Sequence, residues 1–247
     1  MIVTDLDGTL LNEAKTVSEF SKEILKQCKN RGIKIVYATG RGSGSNKIVP
    51  MELFDGYIVN NGALAYADEK LVYNSLIPYE ALRPVLLACD RRGLKAAAQL
   101  ENIHYSNFDV AKEWPEFRDF EITDFSKHTK DTEKMYAVLN NNEDITVIEK
   151  HLTDEIYLSV SRDGFAQIMH INATKSKALN ALATHWNITQ EEIVAFGDDL
   201  NDLDLLLYAG TGVAMGNAVE EVKAEANQIC LTNDQNGLAV WLKENVL

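Results

Sequence analysis

The chain of 247 residues can form one large α/β domain or a core domain with a smaller companion, and its 46% hydrophobic content is typical of a globular protein. Its formal net charge of −13, from 37 acidic and 24 basic side chains, argues against nucleic-acid binding, which depends on basic residues that neutralise phosphates. No apolar run is long enough to cross a bilayer, so a membrane is not an expected partner either.

The N-terminus and the cysteines both favour an intracellular protein. Met1 leads directly into a strand-like apolar segment, without the basic region and long apolar region of a secretory signal peptide. Cys28, Cys89 and Cys230 are odd in number, widely spaced and set among apolar residues. This pattern is typical of buried thiols in a reducing compartment and not of a disulfide or zinc framework. We therefore expect a cytoplasmic protein.

The first predicted element is an apolar strand that ends in two aspartates, within Asp5-Leu6-Asp7-Gly8-Thr9. Aspartates at the carboxyl end of a buried strand lie at the usual ligand-binding edge of a parallel α/β sheet. One interpretation is an Asx turn after the strand. The other is a nucleophilic aspartate, Asp5, with an acid/base aspartate, Asp7, beside it. Because this five-residue pattern rarely arises by chance at average residue usage, the second interpretation is favoured.

Strands and helices then alternate along the first part of the chain. A helix is predicted between Ser18, its N-cap, and Gly32, which lies beyond its C-terminus. Two strand-like apolar runs follow, and they end in Thr39-Gly40-Arg41 and in Asn60-Asn61-Gly62-Ala63. This alternation predicts a doubly wound parallel sheet, that is, a Rossmann-like α/β fold.

Between residues 80 and 169 the pattern changes to short strands mixed with helices. The runs 156–161 and 165–171, joined at Asp163-Gly164, have the signature of a β-hairpin. Trp114, Phe117 and Phe120 are interpreted as core residues of this segment. The sequence therefore predicts an α+β cap domain at residues 80–169, inserted into a Rossmann-like core formed by residues 1–79 and 170–247.

The strand–helix alternation resumes after the insertion and supplies two more polar segments. Lys175 begins a predicted helix, and a strand that ends at Gly197 is followed by Asp198-Asp199-Leu200-Asn201-Asp202. Taken alone, Lys175 would be an ordinary exposed lysine, and the aspartates could simply cap the next helix. In a parallel sheet, however, these segments can meet the earlier Asp5 and Thr39 segments at one edge.

Together and in this order, the polar segments resemble the four motifs of the haloacid dehalogenase superfamily of phosphatases, and of its Cof-type subfamily in particular. The resemblance covers both halves of the core, and the predicted insertion lies where that subfamily has its α/β cap. The matching stretches are 5–11, Thr39-Gly40-Arg41, Asn60-Asn61-Gly62-Ala63, Lys175 with Ala178-Leu179, Gly197-Asp198 with Asn201-Asp202, and Ala214-Met215-Gly216-Asn217-Ala218.

The resemblance implies catalytic and metal-binding roles for four aspartates. Asp5 would attack phosphorus and form an aspartyl-phosphate, while Asp7 would act first as general acid and then as general base. The Asp5 and Asp198 carboxylates and the backbone carbonyl of Asp7 would bind Mg²⁺. Asp202 would orient a water molecule or Lys175 rather than bind the metal directly.

The resemblance also implies a set of donors for the transferring phosphoryl group, which needs charge stabilisation more than further covalent chemistry. The ammonium of Lys175 would act as a counter-charge at a helix N-terminus. The other expected donors are the Thr39 hydroxyl, the Gly40 backbone N–H and the Asn201 side chain.

The implied function is a Mg²⁺-dependent phosphatase that hydrolyses small phosphomonoesters, such as sugar phosphates or related metabolites, with a cap that selects the substrate. Two alternatives stay open: a sugar phosphomutase, and a non-catalytic regulator that only binds a phospholigand. The stretch Gly40-Arg41-Gly42-Ser43-Gly44 is not interpreted as a dinucleotide fingerprint, because Ser45 stands where the fingerprint needs Gly or Ala and because the stretch follows the second predicted strand instead of the first. We expect a monomer or a weak homo-oligomer.

Overall fold

The computed structural model describes residues 1–115, 119–161 and 164–247. The chain divides into two units, Met1–Asn74 with Thr174–Leu247, and Ser75–Ala173. The boundaries predicted from the sequence, at 79/80 and 169/170, lie a few residues inside the second unit. The difference arises because Ile77 pairs with Thr132, and because the Tyr157 hydroxyl donates to the Ala173 carbonyl, so both flanking segments belong to the second unit.

The strands of both units are numbered in chain order over the described residues. They are β1 (Ile2–Thr4), β2 (Ile35–Ala38), β3 (Gly56–Val59), β4 (Leu64–Ala67), β5 (Lys70–Asn74), β6 (Ala96–Leu100), β7 (Ile103–Ser106), β8 (Phe120–Ile122), β9 (Lys134–Val138), β10 (Ile156–Val160), β11 (Phe165–His170), β12 (Val194–Gly197), β13 (Thr211–Ala214) and β14 (Gln228–Ile229).

The helices follow the same convention. They are α1 (Glu19–Asn30), α2 (Tyr79–Arg92), α3 (Val110–Glu113), α4 (Asn142–Glu149), α5 (Lys175–Trp186), α6 (Leu203–Tyr208), α7 (Glu220–Glu225) and α8 (Gly237–Asn245). None of those in the described part of the chain combines the length and apolarity that a membrane span requires.

The first unit is built on an eight-stranded sheet with the order β14-β13-β12-β1-β2-β3-β4-β5. The strands from β14 to β3 pair in parallel, which confirms the predicted α/β core. Strand β1 lies between β2 and β12, and the chain continues outward from it in both directions. This reversal is a topological switch point, where α/β proteins bind ligands at the carboxyl ends of the strands.

Strands β4 and β5 are the part of this sheet that the sequence analysis did not foresee, because both pair antiparallel with their neighbours. For β4 the reason is the short turn Asn60–Gly62 that directly follows β3, and for β5 it is the two-residue connection Asp68-Glu69. Parallel strands need a long crossover connection, whereas a turn of this length can return the chain only in the opposite direction.

Helix α1 forms where its sequence signals predict. The Ser18 side chain accepts a hydrogen bond from the Ser21 N–H, and Gly32, with φ of +81°, lies just beyond the C-terminus. The helix buries Ile24, Leu25 and Cys28 completely or nearly so.

The second unit has a six-stranded sheet with the order β10-β11-β9-β6-β7-β8, in which all pairs are antiparallel except β7 with β8. Helices α2 and α4 contribute to its apolar core, with Leu86 from α2 and Ile148 from α4 packed in one cluster with strand residues. The predicted hairpin is confirmed as β10 and β11, with Gly164 at φ of +77° in its turn. Asp163 of that turn lies outside the described residues.

The aromatic residues of the second unit pack against one another. The Trp114 ring makes edge-to-face contacts with Phe108, Tyr136 and Phe165, as expected for a residue of the domain core. Phe117 lies outside the described residues, and Phe120 begins β8.

Candidate active site

The site lies at the carboxyl edge of the first unit's sheet, where strands β1, β2 and β12 end. Asp5 directly follows β1, Thr39 directly follows β2, and Asp198 directly follows β12. The neighbouring strands hold this edge together, since the Asp5 N–H donates to the Phe196 carbonyl at 3.0 Å and the Thr39 N–H to the Ile58 carbonyl at 2.9 Å. Residues that are far apart in sequence therefore meet at the switch point.

A buried lysine and three aspartates form the centre of the site. The Lys175 Nζ donates to Asp5 Oδ1 at 2.7 Å and to Asp202 Oδ1 at 2.5 Å. Its side chain is 0% exposed, so the ammonium depends on these two carboxylates instead of water. Asp5, Asp198 and Asp202 each offer an oxygen within 4.8 Å of the others. The structure thus brings together residues from three of the four predicted sequence segments.

The pKa values in this cluster show how strongly its charges interact. Burial, with a further contribution from Asp202, raises the pKa of Asp5 well above its usual range, although Lys175 opposes the shift. Burial raises the pKa of Asp198 to about 6, although the hydrogen bond from Thr9 acts in the opposite direction. Burial opposes the charge of Lys175, yet its carboxylate neighbours raise the pKa of this ammonium overall. The cluster holds more negative charge than one lysine can compensate.

This donor set fits a divalent metal ion. Carboxylate oxygens are the ligands that Mg²⁺ and Ca²⁺ prefer, and the excess negative charge of three carboxylates over one ammonium matches a doubly charged cation. Asp202 has little capacity left for such an ion. Its Oδ1 accepts from Lys175, and its Oδ2 accepts from the backbone N–H groups of Asp198 and Asp199 at 3.0 and 3.2 Å. Asp5 and Asp198 are left as the carboxylates best able to bind a metal.

Gly8 and Thr9 hold the Asp198 carboxylate in place. The Thr9 hydroxyl donates to Asp198 Oδ1 at 2.8 Å. Gly8 has φ of +82°, and a Cβ atom at this position would lie only 2.2 Å from Asp198 Oδ2. Only glycine tolerates both the positive φ and the close approach of the Asp198 carboxylate, which explains why glycine precedes Thr9 after the second aspartate.

The Asp7 carboxylate lies in a different environment, between two cations. Arg41 Nε donates to Asp7 Oδ2 at 2.5 Å, Arg41 Nη2 donates to Oδ1 at 2.8 Å, and Lys15 Nζ donates to Oδ1 at 2.9 Å. The pKa of Asp7 is lowered to about 2, mainly by the hydrogen bond from Arg41, and burial opposes this shift only in part. Sequence reasoning gave neither cation a role. Arg41 belongs to a recognised motif, but Lys15 lies in a polar stretch with no distinguishing pattern.

The proposed phosphoryl-binding residues are linked by Asn61, a residue of a matching motif for which the sequence predicts no role. The Asn201 Nδ2 donates to Asn61 Oδ1 at 3.1 Å, and that same oxygen would lie 2.8 Å from a Cβ atom at Gly40. Thr39 is 1% exposed, and its hydroxyl accepts from the Arg41 N–H at 3.2 Å. Asn61 therefore connects two loops that were expected to act together.

The turn that carries Asn61 has an unusual backbone. Asn60, Asn61 and Gly62 all have positive φ, at +50°, +51° and +98°. A Cβ atom at Gly62 would lie 2.1 Å from the carbonyl oxygen of Thr174, which immediately precedes Lys175. Runs of left-handed residues are costly and are concentrated at functional sites. Here the turn brings the end of β3 against the start of α5.

Comparisons with known proteins agree with this geometry. The chain matches the family described as haloacid dehalogenase-like hydrolases over residues 2–242. It is 28% identical over 257 residues to a putative phosphatase of Haemophilus influenzae, covering 98% of this chain and 97% of that protein. It is 26% identical over 260 residues to a 5-amino-6-(5-phospho-D-ribitylamino)uracil phosphatase of Bacillus subtilis, covering 99% and 96%. A solved sugar phosphatase of subclass IIB of the superfamily superposes with a TM-score of 0.85 at 27% identity, covering 98% and 97%.

Proposed function

The chain belongs to the haloacid dehalogenase-like hydrolases and is a phosphatase of that family, and on this premise we propose that it hydrolyses small phosphomonoesters with Mg²⁺ through an aspartyl-phosphate on Asp5. The observation that carries the proposal is the buried Lys175, which bridges Asp5 and Asp202 beside Asp198. A carboxylate fixed in this way at a strand end is oriented for attack on phosphorus.

In the first step, an Asp5 carboxylate oxygen forms a bond to phosphorus while the bond from phosphorus to the leaving oxygen breaks. Asp7 is held ionised by Arg41 and Lys15 in the free protein, so it must take up a proton when the substrate binds before it can donate that proton to the leaving oxygen, which then departs as an alcohol instead of an alkoxide. The product is a mixed anhydride of the Asp5 carboxyl group and phosphate. Lys175 contacts Asp5 directly and stabilises the negative charge that gathers on the transferring group.

In the second step, a water molecule attacks the phosphorus of the intermediate and Asp7, now a carboxylate, accepts a proton from that water. The bond between phosphorus and the Asp5 oxygen breaks, which releases inorganic phosphate and restores the Asp5 carboxylate. The same side chain thus acts as an acid in the first step and as a base in the second, because the second step is chemically the reverse of the first with water in place of the alcohol.

Asp5, Asp198 and the Asp7 carbonyl are the groups that would hold the metal. A bound Mg²⁺ would supply positive charge that keeps Asp5 ionised and offsets the charge of the phosphoryl oxygens. Because both Asp202 oxygens already accept hydrogen bonds, we assign Asp202 to orienting Lys175 and the loop that carries Asp198. The Thr39 hydroxyl, Gly40 N–H and Asn201 amide are assigned to the phosphoryl oxygens.

The substrate class that we propose is a phosphorylated sugar, polyol or related small metabolite. It is supported by the named relatives, one of which acts on a phosphorylated ribityl compound and another on sugar phosphates. The free thiols of Cys28, Cys89 and Cys230 support a cytoplasmic location, where such metabolites occur.

The proposal is tested by phosphate release from a panel of sugar phosphates, polyol phosphates and p-nitrophenyl phosphate. Asp5→Asn should abolish turnover, whereas Asp199→Asn, the same change in the neighbouring loop, should retain it. EDTA should suppress activity and Mg²⁺ should restore it. Undiminished phosphate release by a folded Asp5→Asn variant would refute the nucleophile, and indifference to EDTA would refute the metal. Isomerisation of a hexose phosphate without phosphate release would indicate a mutase.

A further inference from the structure

Asn61 lies against two of the loops whose groups are assigned to the phosphoryl oxygens. Its backbone N–H donates to the Thr39 carbonyl at 3.0 Å, and the Asn60 N–H donates to the Arg41 carbonyl at 2.8 Å, so the turn is joined to the backbone on both sides of Gly40. The Asn61 amide packs against Gly40, since a Cβ atom there would lie 2.8 Å from Asn61 Oδ1 and 3.4 Å from Nδ2. The backbone around Asn61 therefore defines the position of its side chain.

Asn201, in contrast, is an exposed residue in the short 3₁₀ turn Leu200–Asp202. Its side-chain amide donates from Nδ2 to Asn61 Oδ1 at 3.1 Å, and no other hydrogen bond of this amide is found among the described residues. A side-chain amide has a donor end and an acceptor end of nearly the same shape, and a half-turn of the group exchanges them. Without the contact to Asn61, Asn201 could present either end to a ligand.

The oxygen of Asn61 selects one of these two orientations. Because Oδ1 only accepts hydrogen bonds, it favours the Asn201 amide with Nδ2 towards it and disfavours the reverse, in which two carbonyl oxygens would meet. The Nδ2 atom carries two N–H groups, and the bond to Asn61 uses one of them. The second can donate to a phosphoryl oxygen, which accepts hydrogen bonds and, when fully ionised, cannot donate one to the carbonyl end of the amide.

We infer that Asn61 is a positioning residue for Asn201, which holds the Asn201 amide in the orientation in which its NH₂ group can donate to the transferring phosphoryl group. The inference rests on the proposed role of Asn201 and adds to it the residue that orients this donor before the substrate binds. An exposed side chain that is ordered in advance loses its rotational freedom before binding and not during it. Asn61 acts through Asn201 and need not touch the reacting atoms.

This role predicts that the two asparagines act as one unit. Loss of one donor to a transition state lowers turnover by about 10²–10³, so Asn201→Ala should lower kcat/KM on that scale. Asn61→Gly leaves the donor in place but no longer oriented, and kcat/KM should fall by about tenfold, the scale of fixing one side chain. Without the Asn201 amide, Asn61 has no donor to position, so the double variant should match Asn201→Ala alone.

The experiment measures kcat/KM for wild type, the two single variants and the double variant on the panel compound that the wild type hydrolyses fastest. Glycine is used at position 61 because Asn61 has φ of +51°, which glycine adopts without strain. Asn187→Gly is the matched control, since Asn187 also has a left-handed backbone, with φ of +54°, but follows α5 at the end opposite to Lys175. It should keep the wild-type kcat/KM.

Two results would overturn the inference. Losses that multiply in the double variant would mean that Asn61 acts independently of Asn201, for example through the position of Lys175. A wild-type kcat/KM in Asn61→Gly would mean that the contact has no role in turnover. Thermal unfolding of the variants should stay close to that of wild type, because the bond between the two side chains is exposed.

Failure of the proposed function would give different results. Wild-type protein that is inactive on the whole panel would refute the proposed function itself. Full activity of Asn201→Ala would refute the assignment of Asn201 to the phosphoryl oxygens, whatever the effect of Asn61→Gly.

Discussion

The ammonium of Lys175 is the residue on which the site's electrostatics depend. It is fully buried and contacts two of the three clustered carboxylates. A buried charge is tolerated only when it is paired and hydrogen-bonded, and removal of one partner leaves the other uncompensated. Loss of Lys175 should therefore affect stability as well as turnover.

Lys175→Met should reduce the free energy of unfolding in EDTA by about 3–5 kcal/mol, the usual cost of breaking a buried ion pair. It should also lower kcat/KM by about 10²–10³, as expected when one donor to the transition state is lost. Chemical denaturation and phosphate release measure the two effects. Lys223→Met, which removes a lysine paired with Glu220 on α7, is the control. Wild-type stability in Lys175→Met would contradict the account of this ion pair.

His104 in the second unit offers a pH test away from the metal-binding residues. Burial, with a contribution from the Lys134 charge, lowers the pKa of His104 to about 4, and its Nδ1 lies 2.9 Å from the Tyr136 hydroxyl. Between pH 6.5 and 4 the unfolded chain then binds a proton that the folded chain does not. Stability from this residue is present at neutral pH and is lost as the pH falls through this window.

Acidification from pH 7.5 to 5 should cost the wild type about 1–2 kcal/mol through this one residue. The variant His104→Gln should lose correspondingly less over the same interval. Denaturant unfolding at both pH values measures the difference. A His104→Gln variant whose stability falls by as much as that of the wild type would rule out this assignment.

Among the elements, the turn Asn60–Gly62 connects three parts of the site. It reverses the chain between β3 and β4, places Asn61 against Asn201, and packs Gly62 against the Thr174 carbonyl at the start of α5. Because Lys175 directly follows Thr174, the left-handed backbone of this turn affects the position of Lys175. A change in this turn should be felt at the catalytic centre.

Gly62→Ala combines a left-handed φ of +98° with a Cβ that would lie 2.1 Å from a backbone carbonyl. We expect it to cost about 1–3 kcal/mol from backbone strain, with a further steric loss, and to lower kcat by displacing the start of α5. Gly32→Ala is a matched control, because Gly32 has φ of +81° but no atom within 4 Å of the added Cβ. It should show the strain without the loss of kcat. Equal kcat in the two variants would disprove the coupling.

The elements also show what the sequence could predict. Helix α1 and the β10–β11 hairpin follow from local signals, a serine cap and a period-two alternation beside a glycine turn. The antiparallel β4 and β5 do not, because apolar runs such as 64–67 look alike in parallel and antiparallel pairs. Only the length of the preceding turn decides between them.

At the scale of the whole molecule, the sheet topology explains why the motif residues could be assigned and Lys15 could not. Asp5, Thr39 and Asp198 each follow a strand that ends at the same edge, so the parallel sheet alone predicts that they meet. Lys15 lies in a turn outside any strand, and its contact with Asp7 depends on backbone hydrogen bonds that no periodicity reveals. Asn61 does lie just beyond a strand, β3, but its contact with Asn201 is a side-chain hydrogen bond that the sequence pattern does not indicate.

The negative charge of the protein, −13 in total, also determines how a bound cation would affect its stability. A folded state that gathers three carboxylates around one ammonium should be stabilised by any cation that it binds and the unfolded chain does not. At a Mg²⁺ concentration of about 100 times Kd, the gain in stability is about 2.7 kcal/mol. Thermal unfolding with and without Mg²⁺ should show this rise in wild type and in Asp199→Asn. It should be absent in Asp198→Asn, and an equal shift in that variant would place the ion elsewhere.

The most direct test of the central claim is to trap phosphate on Asp5. Asp7→Asn should accept the phosphoryl group of p-nitrophenyl phosphate, whose leaving group needs no proton, but should hydrolyse the intermediate slowly. Acid quenching, borohydride reduction and peptide mass spectrometry would then identify the modified residue. If Asp5 is the nucleophile, homoserine should be found in place of Asp5. Reduction at another residue, or phosphate release with Asp5 never modified, would contradict it.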